Sequence, residues 1–190
     1  MLKFVKEIIG IDRLLFVSVP TSDIQKNVVD GAKKCNIKFL RNSWYVDLDD
    51  GLLRATKKTG LFFYTTDKGV VSYALRREYA EAGAKVILSD NNPEVLNLAR
   101  KGISYPELAK ILEQALDREI EVMKVTPEEF EKYLVDAETS PLGTFGSTCM
   151  QEYVAKGNNS EDLNNPSDFE KTLGRPLEPF VEIVKEYLSS

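Results

Sequence analysis

The stretch Arg13-Leu14-Leu15-Phe16-Val17-Ser18-Val19-Pro20 decides the fold class. Its nearly continuous apolar run is how a strand buried on both faces of a parallel sheet reads, and Pro20 ends it. Thr21 and Ser22 can cap a helix running through Gln25, Val28, Val29 and Ala32 to about Cys35. Asn36 then leads into a second short strand, Ile37-Lys38-Phe39-Leu40. Strand, helix and strand in this order predict a right-handed βαβ crossover, and with it an α/β fold. Before this unit, Leu2, Phe4, Val5, Ile8 and Ile9 fall at helical spacing, and Gly10 follows as a stop.

Downstream, Trp44 and Tyr45 close the second strand, and a helix is expected from Val46 to Lys58, stopped by Gly60. Leu61 to Thr65 reads as a strand and Asp67-Lys68-Gly69 as a turn. A helix over Arg76–Leu88 is expected to turn Tyr79, Ala80, Ala84 and Val86 or Ile87 inward, with another strand over Val95–Ala99. Ser104-Tyr105-Pro106-Glu107 and Thr126-Pro127-Glu128-Glu129 each read as a helix start, flanking a strand between Glu119 and Val125. Ser140 to Ser147, rich in Gly, Ser, Thr and Pro, reads as a loop with Gly143 and Gly146 as punctuation. Helices are expected near Thr148–Lys156, Asp168–Leu173 and Pro179–Leu188.

Composition narrows the chemistry. At 190 residues the chain suits one domain with a real core, and 43% hydrophobic with 29% charged residues is ordinary for a globular protein. A net charge of -5 disfavours nucleic acid as a partner, and the small basic cluster Lys33, Lys34, Lys38 and Arg41 reads as solvated surface. There is no histidine, which removes Ser-His and Cys-His catalysis and the usual zinc sites. Cys35 and Cys149 have no metal-type spacing, so no metal is expected. No apolar run approaches the ~20 residues needed to cross a bilayer. The cytoplasm is the expected location, without a membrane partner.

Several segments together resemble one family. Gly10 to Ser18, the helix Gln25 to Lys34, the string Leu40-Arg41-Asn42-Ser43-Trp44-Tyr45, Arg77-Glu78-Tyr79-Ala80-Glu81-Ala82, Ile103 to Ala109 and Leu173-Gly174-Arg175-Pro176 follow, in order, the NmrA-like proteins. These are atypical short-chain dehydrogenases/reductases, and the likeness is greatest to their NAD(P)H-dependent quinone oxidoreductase branch. The L-R-N-x-W-Y string is the most specific match. The resemblance implies a partial Rossmann-like parallel sheet, lacking the first βαβαβ half, with a C-terminal α+β substrate-side region. Residues 1–100 would be a partial NAD(P)-binding domain and 101–190 the substrate-side helical region, expected to form one compact unit.

Two departures from the family pattern shape the functional expectation. The 190 residues contain no strand followed by G-x-G-x-x-G, the turn that lets a helix amino end face a pyrophosphate. The pieces matching Ile37-Lys38-Phe39 and Leu40-Arg41-Asn42, separated by a helical segment in relatives, also run together here, as after an internal deletion. In the family's strand order the first strand lies beside the fourth. Leu14 to Val17 would then form an open apolar edge, which predicts self-association, capture of a protein partner or poor stability.

By resemblance, Ser18, Val19, Pro20 and Asn42 would lie on the cofactor side, and Trp44, Tyr45 and Tyr79 on the substrate side. From the residues alone, Ser18 reads as a strand end before a helix cap, and the aromatic pair also reads as core packing. No catalytic residue is identified. A Tyr-x-x-x-Lys pair, used by conventional short-chain reductases, could only be Tyr64 with Lys68; Tyr79 and Tyr153 are followed by Gly83 and Gly157 at that spacing. Two functions follow from the resemblance. One is a relative of the quinone oxidoreductases with impaired NAD(P)H binding and little activity alone, acting on a quinone or other small molecule. The other is a non-catalytic regulatory or protein-interaction module.

Overall fold

The computed structural model describes residues 39–90, 93–157 and 166–189. The βαβ unit read over residues 13–35, its edge at Leu14–Val17, and Ser18, Val19 and Pro20 lie outside the described residues. Within them the architecture is α/β, and the strands pair in parallel: β1 (Phe39–Asn42) with β5 (Val95–Leu98), β2 (Trp44–Tyr45) with β4 (Tyr73–Ala74), and β3 (Leu61–Tyr64) with β6 (Glu121–Lys124). Asn42 stands opposite Leu98, and Trp44 opposite Tyr73. The chain changes partner at Ser43. Its N–H donates to the Leu98 carbonyl at 3.0 Å, and the Trp44 N–H donates to the Ser72 carbonyl at 3.0 Å. Parallel pairs cannot be joined by tight hairpins, so helices fill the connections.

A 3-10 turn, Val46–Asp49, leads into α1 (Asp50–Thr59), which buries Leu52, Leu53, Ala55 and Thr56 and ends at Gly60 with φ 78°, a left-handed cap suited to glycine. The helix α2 (Arg76–Leu88) has the expected span, and Tyr79 and Val86 are buried as expected. Ala80 and Ala84, however, are exposed, and Glu78, Ala82 and Gly83 are buried in their place. The face turns toward Glu78 because that acid has a buried cation. Arg100, just past β5, donates to its Oε1 at 2.5 Å, with side-chain exposures of 9% for Arg100 and 1% for Glu78.

The helix starts at Ser104 and Thr126 are as read. In α3 (Tyr105–Leu116) and α4 (Pro127–Asp136), each cap hydroxyl accepts the third residue's N–H while Glu107 and Glu129 reach back to the cap N–H. Phe130, Tyr133 and Leu134 form the buried face of α4. The strand β6 is shorter than read and exposed at all four residues, an open border of the β3–β6 pair among the described residues.

The loop expected over Ser140–Ser147 is instead the first half of a helix, α5 (Pro141–Ala155). Ser140 caps it by accepting the Gly143 N–H at 3.0 Å, and Pro141 occupies the first turn, where its missing N–H costs nothing. Gly143 and Gly146 are not punctuation. They let α5 lie backbone-to-backbone on α1 and the 3-10 turn: a Cβ on Gly51 would fall 2.4 Å from the Gly143 carbonyl oxygen, and one on Gly146 2.6 Å from that of Leu48. This close seam outweighs their poor helix propensity.

Two closing helices, α6 (Pro166–Leu173) and α7 (Phe180–Ser189), complete two buried clusters. The larger joins Leu52, Phe62, Leu108, Leu112, Phe130 and Val184. The smaller joins Ala74, Tyr79, Leu96, Leu98, Phe169 and Leu173. Both draw residues from either side of residue 100.

Candidate functional site

In open parallel sheets, ligands bind beyond the carboxyl ends of the strands, where connections diverge. Here β1 and β2 end at Asn42 and Tyr45, and β4 runs directly into α2, so these ends converge with the first turn of that helix. The Asn42 amide donates to the Tyr45 hydroxyl at 3.2 Å. The Tyr45 ring meets Tyr79 edge to face, with centroids 5.3 Å apart, and Tyr79 stacks on Phe169 at 5.3 Å. The Arg76 guanidinium lies 4.5 Å from the Tyr45 centroid, a cation–π distance, and is held there by Asp47 at 2.6 Å.

Asn42, Tyr45 and Tyr79 are thus brought together. Trp44 points the other way, because successive strand residues alternate faces. It packs against the larger cluster, edge-on to Tyr153 of α5 at 5.1 Å. The two sides touch through the backbone, where the Tyr79 hydroxyl donates to the Trp44 carbonyl at 3.5 Å. Asn42 is exposed, Trp44 and Tyr45 are half-buried, and Tyr79 is buried, so Tyr79 acts as backing for Tyr45 rather than as open surface.

Arg76, Asp47 and Phe169 complete this cluster, and sequence reasoning did not single them out. Arg76 reads as an ordinary first-turn residue, and its role depends on the β2–β4 pairing that delivers Tyr45 beneath it. The Tyr64–Lys68 pairing is not formed as a Tyr-x-x-x-Lys site. The Tyr64 hydroxyl donates to Asp67 at 3.2 Å, and the cation on Asp67 is Lys124. That contact with Lys124 holds the Asp67 carboxyl below its usual range.

Two open hollows lie elsewhere. One of about 450 Å³ is lined by Phe63, Met123, Val125 and Tyr133 beside β6. The other, of about 360 Å³, is lined by Asp50, Arg54, Lys58 and Ser140. Neither includes Asn42, Trp44, Tyr45 or Tyr79.

Four of the described helix starts offer no open N–H cradle for the pyrophosphate of a dinucleotide. The amino ends of α3, α4 and α5 are closed by their own Ser104, Thr126 and Ser140 hydroxyls, each with proline in the first turn. The start of α2 is met by the Glu78 carboxylate, which accepts the Leu75 N–H at 3.2 Å. What converges at the strand ends is an exposed amide, a half-buried phenol ring and a guanidinium.

The fold is a Rossmann-like α/β one. The chain is similar to triphenylmethane reductase from Citrobacter sp., with 25% identity, a TM-score of 0.70, and 91% of this chain matched to 61% of that one. It is similar to an NADPH-dependent quinone oxidoreductase from Escherichia coli, with 22% identity, a TM-score of 0.63, and coverages of 87% and 61%. A nucleoside-diphosphate-sugar epimerase from Staphylococcus aureus matches at 17% identity and a TM-score of 0.66, with coverages of 97% and 80%. The fold is that of the NmrA-like atypical short-chain dehydrogenases/reductases, as the L-R-N-x-W-Y string implied. The chain spans about three fifths of the length of the two reductases. No family model and no curated protein matches the sequence. Among the described residues, no helix is long and apolar enough to cross a membrane.

Proposed function

We propose that the cluster at the carboxyl ends of β1, β2 and β4 is the substrate side of an NAD(P)H-dependent reductase site for a planar, carbonyl-bearing acceptor of quinone type. The observation that carries this reading is the half-buried Tyr45 ring, with Arg76 at 4.5 Å on its face and the Asn42 amide at 3.2 Å from its hydroxyl. A planar ring can rest on such a surface, and the amide and guanidinium supply donors and positive charge for an acceptor's carbonyl oxygen. The likeness to reductases of a dye and of quinones supports the substrate class. Family dinucleotides supply the hydride when bound, and the protein's part is orientation and electrostatics.

We further propose that the 190-residue chain by itself holds NAD(P)H weakly, because its sequence has no G-x-G-x-x-G turn and the starts of α3, α4 and α5 are closed by their own caps. Calorimetric titration of the chain with NADPH, NADH and 1,4-naphthoquinone separately tests both statements. Saturable binding of the quinone with dinucleotide dissociation constants above about 100 μM is expected. Low-micromolar dinucleotide binding, or no quinone binding, contradicts them.

A further inference from the structure

Asp49 closes the 3-10 turn that joins the Trp44–Tyr45 strand to α1, and it is fully buried. Among the described residues the other deeply buried acid, Glu78, has Arg100 as its cation. Asp49 has no such cation in the ion pairs its neighbours make. On its own turn, Asp47 is taken by Arg76; from α1, Asp50 turns outward to Arg54 and to the Tyr187 hydroxyl of α7. What faces the Asp49 carboxyl is Tyr73 from β4, Tyr105 from α3 and Ser147 from α5. Tyr73 donates to Oδ2. Oδ1 has no hydrogen-bond partner, and neither has the Tyr105 hydroxyl. A carboxylate sealed among phenols with one oxygen unmet is a costly state, whereas the neutral acid loses far less solvation on burial.

The same carboxyl sits on the glycine seam. Ser147, beside it, accepts the Leu52 N–H at 3.0 Å, and one turn away Gly51 and Gly143 meet with no room for a methyl group. Water therefore cannot reach an ionised Asp49 unless the 3-10 turn and α5 move apart. At the other end of this seam stand Trp44 and Tyr153.

We propose that Asp49 is a proton-operated latch on the α1–α5 seam: as the neutral acid it holds the 3-10 turn against α5, and on losing its proton it loosens that seam and the Trp44–Tyr153 contact. Burial pushes its titration up to about pH 6, with the Tyr73 and Ser147 hydroxyls offsetting part of the rise. The latch stands on the packing of this seam and does not depend on which ligand the aromatic cluster takes.

The sole tryptophan, Trp44, reports the seam directly. Emission of the full chain is recorded from about pH 4.5 to about pH 7.5 for the natural sequence, Asp49→Asn and Tyr73→Phe. The natural chain is expected to shift to the red along a one-proton curve centred near pH 6, and Asp49→Asn to keep the acid-form spectrum throughout. Tyr73→Phe, which removes a donor to the anion, is expected to move the midpoint to higher pH. A flat profile in the natural chain, an unchanged transition in Asp49→Asn, or an unmoved midpoint in Tyr73→Phe overturns the latch. Carbon-detected NMR of the Asp49 carboxyl in the natural chain decides the matter should Asp49→Asn not fold. Titration near pH 6 in step with Trp44 supports the latch, and titration near pH 4 refutes it.

Discussion

Replacing Gly51 by alanine should destabilise the protein even though Gly51 lies inside a helix. In an open helix, Gly→Ala stabilises by about 0.5–1 kcal/mol, because glycine loses more backbone freedom on folding. Here the new Cβ would stand 2.4 Å from the Gly143 carbonyl oxygen and 2.7 Å from its carbon. Both obstacles are backbone, so no side chain can swing aside, and α1 and α5 must separate by roughly 1 Å to restore van der Waals contact. That separation stretches the Leu52–Ser147 hydrogen bond, 3.0 Å in the native seam. Overpacking of this kind costs about 1–3 kcal/mol and a weakened buried hydrogen bond about 1 kcal/mol more. Set against the propensity gain, the net loss is about 1–3 kcal/mol, which lowers the melting midpoint by roughly 2–10 °C for a chain of this length. Thermal unfolding followed by circular dichroism reads this directly, with Leu142→Ala, at an 80% exposed position, as the neutral control. A Gly51→Ala protein as stable as the natural one would refute the close seam.

Other substitutions probe the remaining joints. Ser140→Ala removes the cap on the Gly143 N–H and should cost about 1 kcal/mol in urea unfolding, where Ser140→Asp should retain most of it. Arg100→Met leaves Glu78 buried without its cation and should cost about 3–5 kcal/mol; adding Glu78→Leu should recover much of the loss. Asp49 gives stability an unusual pH dependence. Its folded titration lies near 6 against 3.8 for the free acid, so the folded state holds the proton more tightly. Its contribution is therefore fullest below about pH 4 and is lost as pH rises toward 6, by up to about 3 kcal/mol. The exposed carboxylates of Asp67, Glu81, Glu138 and Glu186, shifted downward by cations, act in the opposite sense and are screened at the surface. The difference between the natural chain and Asp49→Asn in denaturant melts between about pH 4 and pH 7 isolates the buried acid, and equal slopes for the two would contradict the assignment.

Local signals carried far. The cap residues Ser104 and Thr126, with glutamate three positions on, named two helix starts because a capping box is a contact between near neighbours. Gly60 marked the end of α1 for the same reason. The failures lie where distant residues decide. Gly143 and Gly146 read as a loop because glycine disfavours a helix, and only the approach of Gly51 and Leu48, nearly a hundred positions earlier in the chain, explains them. The buried face of α2 is not legible in the sequence because Glu78 looks like a surface residue until Arg100 is placed beside it. Of the residues that the L-R-N-x-W-Y string singles out, Asn42 and Tyr45 meet through a hydrogen bond, and strand alternation sends Trp44 to the opposite face. Arg76 carried no sequence signal, since the parallel β2–β4 pairing alone brings it over Tyr45. The Asp49–Tyr73 contact escaped notice for the same reason: nothing local announces that an acid at the end of a 3-10 turn will be sealed from water.

The central claim is that a planar acceptor rests on Tyr45 between the Asn42 amide and Arg76. The most direct measurement is nitrogen-15 NMR of the full chain titrated with 1,4-naphthoquinone. The account predicts saturable shifts of the Asn42 side-chain amide, the Tyr45 N–H and the Arg76 guanidinium, abolished in Tyr45→Ala. Shifts confined to Phe63, Met123 and Tyr133, around the hollow beside β6, would contradict it.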